Sequence, residues 1–175
     1  MRNPHSEDLL IEQPAIALLA EMGWEPMDCF HEFEGAGGSP LGRETKSEVV
    51  LTARLRPALE RLNPGAHSDA IDLAVEELTR SRAVMSLVEA NREIYWLLKD
   101  GVKVTVSDPD GDGETVEVLR VIDWGNPGNN DFFLASQFWI AGDMHLRRPD
   151  LIGFVNGLPL VLMEYFMNGL SMIIH

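Results

Sequence analysis

Cysteine is nearly missing from this sequence: Cys29 is the single one in 175 residues. That excludes an intramolecular disulfide and any cysteine-rich zinc site, and it points to a reducing, cytoplasmic setting. Long apolar runs are missing too. None approaches the roughly 18–20 residues a membrane span requires. The first ten residues, MRNPHSEDLL, hold no apolar signal core, so no membrane association is expected. Basic side chains are scarce, with 14 Lys and Arg against 28 Asp and Glu and a net charge of −14. Such a balance argues against a chain that grips a nucleic-acid backbone by itself.

What remains is a core-forming composition, 45% apolar, on a chain of about one domain's length. The charge is uneven. Residues 41–66 carry Arg43, Lys46, Arg54, Arg56 and Arg61 against Glu44, Glu48 and Glu60. This stretch reads either as a solvated helix of mixed charge or as a basic edge facing a phosphate backbone or an acidic partner.

The first half has helical periodicity. Leu9, Leu10, Gln13, Ile16, Ala17, Leu19 and Ala20 recur at three- and four-residue spacing, with Ser6 as cap and Gly23 as stop. A second helical stretch carries Val49, Val50, Leu55, Leu59 and Leu62, and Pro57 inside it predicts a kink or restart. A third helix is expected from Ser68, and a fourth ending at Asp100-Gly101. After Gly101 the period changes to two. Strands are expected at Val102–Val106, Val116–Ile122, Phe133–Ile140, Leu151–Val155 and Leu160–Glu164. The fold class is therefore α/β in the α+β sense: a helical part over about 1–101, then a mixed, largely antiparallel sheet over about 102–166.

Several motifs carry no chemistry. Asp108-Pro109-Asp110-Gly111-Asp112-Gly113 starts like a calcium loop, but the twelfth position is Leu119 and the flanks read as strands, so a hairpin turn is the better reading. The glycines of Gly37–Glu44 lack the Lys and hydroxyl of a phosphate loop. The histidines, His5, His31, His67, His145 and His175, are not at metal-ligand spacing from one another.

One stretch does. Two apolar runs flank Asn156-Gly157, with Asp150 opening the first and Glu164 closing the second. Two acids near one end of a β-ribbon can hold a divalent metal beside a phosphodiester. The register decides whether they share a face. A strict two-residue loop pairs Val155 with Leu158 and sets Asp150 against Met163, leaving Glu164 on the other face. A three-residue loop sets Asp150 opposite Leu162, with Glu164 diagonal on the same face. A shared metal therefore predicts an odd-length, bulged turn. The plainer reading is a solubilising acid at each end of an apolar hairpin.

The segments IEQPAIALLAEMGW (11–24), LGRETKSEVVLTARLRPALERLNP (41–64), VIDWGNPGNNDFFLASQF (121–138) and RPDLIGFVNGLPLVLME (148–164) resemble the N-terminal part of type I restriction enzyme R subunits, the HsdR family. The resemblance implies one N-terminal endonuclease domain over 1–175, of the PD-(D/E)xK class, cutting double-stranded DNA with magnesium. It implies that Asp150 and Glu164 are catalytic metal ligands, with Glu12 on the first helix as an assisting acid. It also implies methyltransferase (M) and specificity (S) subunits as partners, and ATP only through a translocase outside this sequence. The alternative is a non-catalytic module docking, through the basic stretch, onto the methyltransferase core or the translocase.

The pattern departs at Phe166, which stands where the family has a lysine. The remainder, 167–175, is an atypical tail without Lys, Arg, Asp or Glu. A phenylalanine cannot donate a charge-assisted hydrogen bond, so this chain is expected to be inactive by itself. The abrupt change reads as a frameshifted or truncated reading frame, or else as natural divergence to an inactive nuclease.

Overall fold

The computed structural model describes residues 12–34, 37–107, 111, 113–142, 145–166 and 169–174, with side chains as far as Glu164. In chain order its elements are α1 (Gln13–Glu21), β1 (Glu25–Asp28), α2 (Thr52–Leu62), α3 (Ser68–Thr79), α4 (Leu87–Asp100), β2 (Val102–Ser107), β3 (Glu114–Leu119), β4 (Phe132–Ser136), β5 (Ile140–Ala141), β6 (Leu146–Arg147), β7 (Leu151–Val155), β8 (Leu158–Phe166) and β9 (Gly169–Ile174). The α+β class holds. The chain divides into two compact units, one of residues 1–51 with 132–175 and one of residues 52–131.

The first unit is built on a five-stranded sheet of order β1-β4-β7-β8-β9. Only the β1–β4 pairing is parallel; the others are antiparallel. Helix α1 opens with Pro14, whose missing N–H costs nothing in the first turn. Gly23 at φ 96° ends it, as the sequence predicts. Its apolar stripe Ala15, Ile16 and Leu19 packs with Trp24 over Leu134, Leu151 and Met163, on one face of the sheet. The other face buries Cys29, Leu41, Leu51, Phe133, Phe138, Ile152 and Phe154. The expected Ser6 cap, with Leu9 and Leu10, lies outside the described residues.

Two strands had no signal. Strand β1, Glu-Pro-Met-Asp, has no alternation and contains a proline, which an edge position tolerates. Strand β9 lies in the tail and pairs with β8 from Val161↔Ile174 to Phe166↔Gly169. The single strand expected over Phe133–Ile140 is broken at Gln137, whose φ of 55° cannot continue a ladder.

The second unit contains α2, α3, α4 and the β2–β3 hairpin. Helix α2 runs continuously through Pro57, without the restart expected there. A proline this near the helix start removes one hydrogen bond, and the buried Leu55, Ala58, Leu59 and Leu62 hold the helix together. Val49 and Val50 precede it. Helix α3 buries Ala70, Ile71, Ala74 and Leu78 and packs on α2 and β2. Helix α4 buries none of its residues and relies on a capping box between Ser86 and Glu89. Gly101 is required where α4 turns into β2: at φ 91°, a Cβ there would lie 2.6 Å from the Leu119 carbonyl oxygen. The hairpin pairs Val102↔Leu119 through Ser107↔Glu114, as expected for a turn between strands. Asp108–Asp110 and Asp112, the rejected calcium loop, lie outside the described residues. Among the described residues no helix is long and apolar enough to cross a membrane.

Candidate active site

The β7–β8 ribbon begins as a two-residue turn. Asn156 (φ 52°) and Gly157 (φ 81°) both take the left-handed conformation such a turn demands, and Val155 pairs with Leu158. The odd-length loop expected from the sequence is therefore wrong. The register nevertheless shifts between Gly153 and Phe154: Phe154 pairs with Pro159 and Gly153 with Val161, leaving Leu160 as a bulge. Beyond it Ile152 pairs with Leu162 and Leu151 with Met163. Continuing this register by one residue sets Asp150 across from Glu164. Directly opposed residues of an antiparallel pair share a face. The register set by the turn alone would leave the acids on opposite faces; the bulge shifts it so that the continued register puts them on one face.

Both acids stand half-buried at one end of the sheet, two positions beyond Ile152 and Leu162 and so on the same face as those residues. Gln137, just past the end of β4, comes to this end as well. Its backbone N–H donates to the Asp150 carbonyl at 3.0 Å. Its side-chain amide donates to both carboxylate oxygens of Glu12, at 3.3 and 3.2 Å. Glu12 is buried, with 8% of its surface exposed. It reaches this end of the sheet through Gln137. Among the described residues no three His, Cys, Asp or Glu form a group that could hold a metal. Sequence reasoning passed over Gln137, and its place directly after an apolar strand was the available clue.

The donor set suits a hard divalent cation. Carboxylate oxygens are what magnesium takes, commonly one or two from the protein, with water and phosphate supplying the rest. Phe166 lies on β8 two residues beyond Glu164, paired in backbone register with Gly169.

Cations are held nearby in the same unit. Arg148, two residues before Asp150, stacks over Phe30 (4.7 Å) and Trp139 (4.9 Å), and Lys46 lies 4.7 Å from the Trp139 ring centroid. Arg43 is different: it is buried against Glu32 at 3.1 Å and lies 3.9 Å from the Phe138 ring centroid. Burial holds its pKa below the usual arginine range, against the pull of Glu32. Burial also pushes the Cys29 thiol up to about 12, helped by Glu32. The lone cysteine is thus a buried core residue held as the neutral thiol.

The basic stretch 41–66 is divided between the two units. Arg43 and Lys46 belong to the first unit, and Arg54, Arg56 and Arg61 to the second. Arg54 grips Asp131 with two hydrogen bonds of 3.0 and 3.1 Å, Arg56 pairs with Asp72, and Arg61 donates to the Asn129 carbonyl. These internal contacts are what an ordinary helix of mixed charge makes.

Comparison with known proteins supplies the context. A family model described as the type I restriction enzyme R protein N terminus matches residues 4–165. The endonuclease subunit of the type I restriction enzyme HindI from Haemophilus influenzae is 37% identical over 163 residues, 88% of this chain and 14% of that protein. The putative type I restriction enzyme MjaIXP endonuclease subunit from Methanocaldococcus jannaschii is 26% identical over 165 residues, 91% of this chain and 15% of that protein. The chain thus spans about a seventh of the length of these relatives.

Proposed function

The chain belongs to the type I restriction enzyme R protein N-terminus family, and from that premise we propose that it is the DNA-cleaving module of a restriction subunit, a magnesium-dependent phosphodiesterase of the PD-(D/E)xK class. The observation that best supports this reading is the bulged β7–β8 ribbon, whose register, continued one residue beyond Leu151↔Met163, would set Asp150 across from Glu164 on one face.

Asp150 and Glu164 would hold the magnesium ion, and Glu12 would add a third negative charge behind them. When bound, the ion would polarise the phosphate and lower the pKa of the attacking water. The chain's own residues have separate tasks. The two acids fix where the scissile phosphate sits. Lys46 and Arg148, pinned on aromatic rings, offer N–H donors to backbone phosphates. A third group, at the position two residues after Glu164, should orient the water and stabilise developing charge. The phenylalanine side chain at position 166 has no N–H to give, so the isolated chain cleaves poorly or not at all.

In the whole protein, double-stranded DNA would be the substrate, methyltransferase and specificity subunits the partners, the cytoplasm the setting, and ATP hydrolysis the work of translocase residues outside this sequence. A docking role through the basic stretch has less support, since Arg43, Arg54, Arg56 and Arg61 already engage an acid or a carbonyl within the chain.

A plasmid-nicking assay with magnesium tests the reading. The unaltered chain and Asp150→Ala should both be nearly inactive, and Phe166→Lys should raise cleavage in a way that Asp150→Ala abolishes. Robust cleavage by the unaltered chain that persists in Asp150→Ala would overturn it.

A further inference from the structure

We propose that Trp139 is a positioning residue for DNA: its indole holds Lys46 and Arg148 at set places, so that two phosphates of the substrate are gripped by cations whose spacing is fixed in advance. This rests on the reading of the chain as a DNA-cleaving module, and it concerns the hold on DNA rather than the metal.

The observations form a series of alternating cations and rings. Arg148 Cζ lies 4.7 Å from the Phe30 ring centroid and 4.9 Å from that of Trp139. Lys46 Nζ lies 4.7 Å from the same Trp139 centroid and 5.6 Å from that of Phe33. Buried Arg43 continues the series, 5.1 Å from the Phe33 centroid. Trp139 is the ring that Lys46 and Arg148 share, and it is fastened at two points. Its indole N–H donates to the Phe30 carbonyl at 3.0 Å, and its own carbonyl accepts from the Arg43 guanidinium at 2.8 Å. Arg43 is 4% exposed, so the platform is anchored in the core of the first unit.

The chemistry separates these two cations from ordinary surface ones. Neither pairs with an acid among the described residues. A cation lying over an aromatic face keeps its charge and its N–H donors. It has also already given up much of the rotamer freedom that a long side chain loses on binding. Arg148 is exposed and Lys46 half-buried. Buried Pro149 alone separates Arg148 from Asp150, so a phosphate on Arg148 is tied closely to the acid proposed to hold the metal.

Substitution reads the role through binding rather than cleavage. A fluorescein-labelled duplex is titrated with the full chain by anisotropy over a series of salt concentrations, with thermal unfolding of every variant alongside. Trp139→Leu keeps both charges but removes the face they share. It should weaken binding about tenfold at each salt concentration and leave the salt slope unchanged, because the same counterions are released. Trp139→Phe keeps a ring while losing the hydrogen bond to Phe30, and should stay within about threefold of the parent. Phe30 is itself exposed, so Phe30→Leu should fold even where a Trp139 variant does not, and it frees Arg148 alone. Its weakening should vanish in an Arg148→Ala background and persist in a Lys46→Ala background.

The outcomes divide cleanly. Weaker binding by Lys46→Ala and Arg148→Ala, with Trp139→Leu and Phe30→Leu binding like the parent, would overturn the role of Trp139 and leave the cations as DNA contacts. An equal loss from Phe30→Leu with and without Arg148→Ala would show that the rings do not act through the cations, and would overturn the proposal as well. Unweakened binding when Lys46→Ala and Arg148→Ala are combined would remove the phosphate contacts from the proposed function and this inference with them.

Discussion

Leu151 pairs with Met163, one residue out of the register that the Asn156-Gly157 turn begins, and the cause is the unpaired Leu160. A single extra residue exchanges the faces of everything beyond it, because side chains alternate with period two. Val155 and Leu158 close an ordinary hairpin, and beyond the bulge Ile152 and Leu162 lie across from one another.

Gly153 stands beside this bulge and under a tight neighbour. A Cβ at that position would lie 2.8 and 3.0 Å from two Trp24 ring carbons and 3.2 Å from the Val161 Cβ. Gly153→Ala should therefore destabilise the first unit by about 1–3 kcal/mol, the usual cost of overpacking, seen as a lower urea midpoint. In a Trp24→Leu background most of that cost should vanish, because the ring is the obstacle. An equal loss in both backgrounds would show that the ring is not the cause.

How much of this was legible beforehand follows from the range of each interaction. Helices α3 and α4 and strands β2, β3 and β7 follow from local period and from stop residues such as Gly101, so they could be read directly. Asp150 and Glu164 could be named because an apolar hairpin bounded by acids is a local pattern. Their alignment could not be read correctly. Leu160 and Pro159 look the same in a bulged and in a regular strand, and the packing of Trp24 against Gly153 is set by residues more than 120 positions apart in the sequence. Strand β1 was invisible because its partner β4 supplies the pairing. The Gln137–Glu12 contact spans 125 positions, beyond the reach of any periodicity. The path of α2 through Pro57 shows burial overriding a local breaker.

The buried Glu32–Arg43 pair gives a second measurable consequence. Both side chains are almost wholly inaccessible, at 0% and 1% exposure. Glu32 also accepts from Ser39 Oγ at 2.6 Å, and Arg43 donates to the Trp139 carbonyl at 2.8 Å. Removing one partner leaves the other charge buried and uncompensated. Arg43→Met alone should cost about 3–5 kcal/mol, whereas joint replacement of both by apolar residues of similar size should cost far less. Urea unfolding of the two variants compares these directly.

The net charge of −14 predicts weak DNA binding, and the placement of the cations predicts where that binding arises. Lys46 and Arg148 are held on the Trp139 ring, so little side-chain freedom is lost when they meet a phosphate. Alanine at either position should weaken binding to a duplex evenly across sequences and reduce the salt slope by about one ion each. Gel-shift titrations over a series of salt concentrations would show it. An unchanged slope for both variants would place the phosphate contacts elsewhere.

Cys29 gives a pH-dependent prediction whose direction is fixed by burial. Its thiol, 1% exposed, is raised to about 12 by burial first and by the negative charge of Glu32 second. At pH 8 roughly one molecule in ten thousand would carry the thiolate, so the folded chain should resist iodoacetamide while the urea-unfolded chain reacts readily. The same shift links folding to pH. A group whose folded pKa lies above its unfolded value binds its proton more tightly when folded. That stabilisation is fully present below the ordinary thiol pKa and is lost as the pH climbs towards 12. Thermal stability should therefore fall over that alkaline window, and Cys29→Ala should flatten the fall. If the native thiol instead alkylates at pH 8 as fast as the unfolded one, the packing around Cys29 opens more readily than the surrounding Leu41, Phe133 and Phe138 imply.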